Sequence, residues 1–149
     1  MLFRSVDKTA SIGAPASANT PASSLVPPDR AGISGVAAVR ASLPFVLSAP
    51  GSLSGMALGD VRQVDLNGKP AALLRYGDGL AGVVVLEAQV QKSAQPLPAG
   101  LPKVSVGGSS ATELPTALGT LLNFQRAGLS YTVAGFVSAS TVEAAARGL

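Results

Sequence analysis

The chain contains no cysteine and no histidine. The first absence excludes disulfides, thiolate metal sites and a thiolate nucleophile. The second removes the commonest general base and the commonest metal ligand. There is no tryptophan, and aromatic residues make up only 4% of the chain, too few for the stacking platforms that hold single-stranded nucleic acids. Charged residues are also scarce, at 13% against the usual ~25%. The net charge of +3 comes from 11 basic and 8 acidic residues that form no block. The high isoelectric point is therefore a small imbalance among few charges, without the clustered basic face that nucleic-acid binding requires. No apolar run reaches the ~18 residues that mark a bilayer-spanning helix, and no signal peptide is readable.

What chemistry remains is sparse. Gly77-Asp78-Gly79, Gly82 and Gly107-Gly108 lack the Lys-Ser/Thr pair that would make a phosphate loop, and they read as turns. Asp60, Asp65, Asp78, Glu87 and Glu113 are scattered, with no calcium-loop spacing, and read as surface charge. Lys69, Lys92 and Lys103 flank turns. Serines are plentiful but have no histidine to activate them. The expectation is a protein that is not an enzyme and that uses no cofactor and no metal.

The 149 residues suit one ordinary domain. Residues 1–31 are rich in Ala, Ser, Thr and Pro without apolar period, and read as a disordered linker. Leu2-Phe-Arg-Ser5 is also what CTC-TTC-CGA-TCT encodes, the end of a common sequencing adapter. Met1–Ser5 is thus either a native start or a non-native extension, and we favour the second, with the natural protein continuing upstream. Residues 32–149 read as the folded domain.

Within it, Ile33 to Ala41 reads as a short helix, with Ile33, Val36, Ala37 and the Arg40 stem on one face and Leu43-Pro44 ending it. Phe45 to Ser48 is a short strand or an extended segment. Met56 to Leu66 is a strand whose Val61 and Val64 fall out of phase, which calls for a bulge near Gly59-Asp60 or a fully buried strand. Asn67-Gly68 is the strongest hairpin signal. Strands over Ala71–Tyr76 and Gly82–Val90 complete a meander. Gln91 to Pro102 is a loop, and Lys103–Val106 a short strand. Gly107 to Ser110 break it, and Thr112 to Ala117, with Pro115 inside, reads as irregular.

The last stretch is the most legible. Ala127-Gly128 separates two strand-like runs, so Arg126 should face Leu129, Phe124 should face Tyr131, and Leu122 should face Val133. The other face, Leu121, Asn123, Gln125, Ser130 and Thr132, is mostly polar. Val142, Ala145, Ala146 and Leu149 then form one helical stripe. Its start is either Ser140, with Glu143 in a capping box, or Ser138, with Val137 and Val142 as a staple. The stripe should dock on the apolar face of the hairpin. The sum is α+β: an antiparallel sheet of about six strands with a short N-terminal helix and a C-terminal helix packed on it.

Tyr76, Phe124 and Tyr131 are the candidate ligand- or partner-facing residues. Aromatics also pair across strands simply to pack a sheet, and Phe136 takes that second reading.

Three segments together resemble a known family. They are Leu43-Pro-Phe-Val-Leu-Ser-Ala-Pro-Gly-Ser-Leu53, Leu74-Arg-Tyr-Gly-Asp-Gly-Leu80, and Gly119-Thr-Leu-Leu-Asn-Phe-Gln-Arg-Ala-Gly-Leu-Ser-Tyr-Thr-Val-Ala-Gly135 followed by a helix. They resemble the C-terminal extracytoplasmic domain of bacterial membrane-anchored sigma-factor regulators and lipoprotein-carrier-like proteins. The resemblance implies a curved sheet whose concave face is covered by helices. It implies a non-enzymatic sensor or regulatory domain outside the cytoplasm, tethered to a membrane through an anchor beyond this chain. Its partner would be an envelope protein. The alternative it offers is a carrier that holds acyl chains between the sheet and its helices. Phe124 stands where relatives often carry tryptophan. No catalytic residue and no nucleic-acid partner is implied.

Overall fold

The computed structural model describes residues 32–92 and 97–149. The linker expected over 1–31, with its Met1–Ser5 question, and the centre of the 91–102 loop lie outside the described residues.

Among the described residues, eight strands and two α-helices follow one another: α1 (Val36–Ser42), β1 (Ser52–Leu53), β2 (Met56–Leu66), β3 (Lys69–Tyr76), β4 (Val83–Gln89), β5 (Lys103–Val106), β6 (Ser109–Thr116), β7 (Gly119–Arg126), β8 (Leu129–Gly135) and α2 (Ala139–Arg147). The strands form one antiparallel sheet in the order β1-β2-β3-β4-β8-β7-β6-β5. The α+β class holds, with eight strands in place of about six.

Two strands escaped the sequence pattern. β1 is only two residues long. β6 runs through Pro115, and its register against β7 is regular from Ala111↔Phe124 to Thr116↔Gly119. The proline is tolerated because of where it falls. Two residues earlier, the Glu113 N–H points away from β7 and donates to Pro102 O at 2.9 Å. Pro115 shares that direction by the period of two, and it lies past the end of β5, where no partner needs its missing N–H. Ser109 and Ser110 consequently belong to β6, paired with Val106 and Ser105.

β2 carries a bulge where one was expected, its register against β3 shifting between Leu58 and Asp60, but the bulge precedes both Val61 and Val64 and the register beyond it is regular. Val61 and Gln63 therefore lie on one face and Val64 and Leu66 on the other by plain alternation, and both faces are partly covered. Asn67-Gly68 and Ala127-Gly128 both adopt positive φ at both positions, 55° and 81°, then 52° and 80°, the backbone that matches strand twist in two-residue hairpins. The pairs Arg126↔Leu129, Phe124↔Tyr131 and Leu122↔Val133 form as expected.

α1 differs from its expected form. Gly35, at φ 93°, precedes it, so the helix starts at Val36. Ile33 and Gly35 instead bond to β2: Gln63 N–H donates to Ile33 O and Gly35 N–H donates to Val61 O. Val39 is the buried residue, with Val36 and Leu43 packed beside it, whereas Ala37, Arg40 and Ile33 are exposed. α2 uses Ser138 as its N-cap, accepting from Thr141 N–H, and Glu143 pairs with Arg147 one turn on. The capping box at Ser140 does not form.

α2 buries Val142, Ala145 and Ala146 against β7 and β8. It also touches β1 and β5, the two outermost strands. One short helix reaches both edges of an eight-stranded sheet only if the sheet curls around it, so the face under α2 is the concave one. The core lies there as one cluster that includes Leu74, Tyr76, Val85, Leu122, Phe124 and Val133.

Candidate functional site

The concave face is filled. Phe124 stacks on Tyr131 with ring centroids 5.0 Å apart. The Arg126 guanidinium lies 5.4 Å from the Phe124 centroid, donating to Leu149 O at 3.0 Å and to Val106 O at 3.3 Å. Its charge thus sits at the C-terminal end of α2, where the helix dipole favours a cation. The Tyr76 hydroxyl donates to Pro50 O at 3.0 Å. The three aromatic residues singled out from the sequence, Tyr76, Phe124 and Tyr131, are all buried here. They are brought onto one face, but as packed core under α2 and the Pro50 segment.

Glu87 corrects the reading of the acids as surface charge. Period two puts it on the same side of β4 as Val83 and Val85, and it is 0% exposed. Its Oε2 accepts from Ser48 N–H at 3.0 Å, while Oε1 is buried with no hydrogen-bond partner among the described residues. Burial raises its pKa to about 7, against the lowering effect of the Ser48 N–H. Burial, then the neighbouring Glu87 charge, also pushes the Tyr76 hydroxyl up to about 12 and raises Tyr131.

The convex face carries an open apolar groove of about 450 Å³. Its floor is a row of residues in cross-strand register: Arg75 on β3 opposite Val84 on β4, Val84 opposite Ala134 on β8, and Ala134 opposite Leu121 on β7. Three short segments make the walls: the turn around Gly79 and Gly82, the β6–β7 hairpin tip with Leu118, and Phe136 just past β8. The Thr116 hydroxyl fixes the tip, accepting from Leu118 N–H and donating to Gly119 O. Leu118 then projects, 72% exposed, near Phe136 at 58%, and Leu80 in the first wall segment is 77% exposed.

Glycine lets the walls meet. A Cβ on Gly119 would lie 2.1 Å from Gly135 O, so only glycine permits that approach. Arg75 supplies the groove's one charged side chain, and among the described residues the ion pairs are Arg62–Asp60 and Arg147–Glu143, so Arg75 is free of one. A second depression of about 640 Å³ on the same face is lined by Asn123, Gln125, Ser130 and the 97–101 loop. It is chiefly polar, and Asn123 already spends its amide on Thr132 Oγ1.

None of the groove residues was singled out from the sequence, and Phe136 was read as packing. The available signal was positional: Leu80 and Leu118 are large apolar residues placed inside turns. The groove brings together no nucleophile–base pair. Among the described residues no cluster of acids could hold a metal ion, and no helix is long and apolar enough to cross a membrane. No protein-family model, curated protein or solved structure matches this chain.

Proposed function

We propose that this domain is a non-enzymatic recognition module, the extracytoplasmic part of a membrane-anchored regulator of the sigma-factor-controlling kind. An apolar segment of an envelope partner would dock in the convex groove. The observation that carries recognition is the pair of exposed apolar residues Leu118 and Phe136 lining a preformed groove, since scattered exposed apolar residues are ordinary but a walled apolar set marks an interaction site. The regulatory setting rests on the family resemblance. It is tested by the coding sequence upstream of codon 6: a membrane helix preceded by a small cytoplasmic domain supports it. A secretion signal with a lipid-modified cysteine counts against it.

A second reading, a carrier of acyl chains, has one observation in its favour. The groove is apolar along its row and ends at the unpaired Arg75, as a chain with an anionic head would require. The space between sheet and helices, where such a chain was first expected, is occupied by packed core. Calorimetric titration with dodecanoate separates the two. Saturable binding that is lost on Arg75→Ala favours the carrier, and absence of binding favours the protein partner.

A further inference from the structure

Glu87 has no part in the groove, and a fully buried carboxylate with an orphan oxygen needs its own account. Above it passes the irregular segment from Leu43 to Gly51, which joins α1 to β1. That segment has no ladder of its own. Its own Leu47 is buried in the core, and three hydrogen bonds among the described residues hold it: Ser48 N–H to Glu87 Oε2, Tyr76 hydroxyl to Pro50 O, and Leu58 N–H to Gly51 O. By contrast, β3 and β8, on either side of Glu87, are fixed by regular ladders.

Among the described residues, the groups facing Glu87 offer it no compensating charge. From β8, Tyr131 stands opposite it in register, and Tyr76 comes from β3. The strap contributes only a backbone N–H from Ser48. Arg126, on the far side of Tyr131, is committed to Leu149 O, Val106 O and the Phe124 ring. Arg40 on α1 is exposed. An ionised carboxylate here would keep one hydrogen bond and no counter-ion, and such a charge is driven towards water.

We propose that Glu87 is a proton-operated latch, which when neutral seats the Leu43–Gly51 strap on the concave face and when ionised lets the strap lift so that water reaches the carboxylate. The strap yields because it is bonded to Glu87 yet belongs to no strand ladder. Near neutrality nothing else among the side chains competes by ordinary titration, because the chain has no histidine and no cysteine. The latch is independent of what occupies the convex groove.

The direction follows from linkage. The closed form holds its proton up to about pH 7, and the open, hydrated form releases it in the ordinary carboxylate range. The open population therefore rises by up to about tenfold per pH unit between about pH 5 and 7 and levels off above.

Native-state hydrogen exchange, expressed as protection factors at pH 5 and pH 7.5, tests this at single amides. Ser48 and Leu58 are expected to lose roughly ten- to hundredfold in protection, while Leu122 and Val133 keep theirs. In Glu87→Gln the protection of Ser48 should not depend on pH. Should that variant fail to fold, the Glu87 side-chain carboxyl ¹³C resonance of the native protein replaces it, and its midpoint should coincide with the loss of protection at Ser48. The proposal is overturned by unchanged protection at Ser48, by an equal loss in Glu87→Gln, by a loss shared with Leu122 and Val133, or by a carboxyl midpoint in the ordinary range.

Discussion

Glu87 and Gly119 are single residues whose neighbours dictate what they do. For Glu87 the neutral form is favoured on folding, so its contribution to stability is complete below pH 4.5 and is lost as pH rises through about 7. The full loss is at most about 3–4 kcal/mol, because each pKa unit corresponds to about 1.4 kcal/mol. Urea unfolding at pH 5 and at pH 8 should show the native protein losing more stability over that interval than Glu87→Gln. Equal losses would mean that Glu87 does not couple folding to pH. At Gly119 a methyl group would collide with the Gly135 carbonyl, backbone against backbone. Gly119→Ala should cost about 2–3 kcal/mol, the range of overpacking. Gly51→Ala, where nothing lies within 4 Å, should be near neutral when both variants are compared with the native domain in urea unfolding. Period two already places Glu87 with Val83 and Val85 in the sequence, so its burial was legible there. The collision at Gly119 was not, because it depends on Gly135 arriving from the next strand.

At the scale of elements, the two hairpins make an internal comparison. Both loops take positive φ at both residues, one as Asn67-Gly68 and the other as Ala127-Gly128. Alanine tolerates that region poorly, and asparagine tolerates it better. Ala127→Asn should therefore stabilise the domain by about 0.5–1 kcal/mol, read as a higher unfolding midpoint; a lower midpoint would show that the loop geometry is otherwise. These hairpins, the α2 stripe and the register of β7 on β8 were readable because turn chemistry and periodicity are local. β6 was hidden because Pro115 reads as a breaker, and its tolerance depends on β5 beginning only at Lys103, opposite Thr112, at the sheet edge farthest from β1. α1 was misplaced by the same kind of cause: β2 recruits Ile33 and Gly35 into pairing that local pattern cannot show.

For the whole molecule, curvature divides the labour between the two faces. The concave face closes over α2, Phe124 and Tyr131 and has little left to offer a partner. The sheet's outer edges are short or covered: β5 has four residues with Lys103 among them, and β2 is flanked by β1 and by Ile33 to Gly35. Such edges discourage pairing with another strand. The convex groove remains, and the sequence concealed it because Leu118 and Phe136 look like core residues until the turns that carry them are placed. Both are exposed, so changing them should spare the fold.

The most direct measurement is a fluorescence titration of the apolar probe bis-ANS against the native domain and the double variant Leu118→Asp, Phe136→Asp, with unfolding midpoints recorded for both. The expected result is saturable binding by the native domain and at least roughly tenfold weaker binding by the variant at an unchanged midpoint, since two large apolar contacts are lost. Superimposable titrations, or no saturable binding by the native domain, would contradict the groove as the recognition surface.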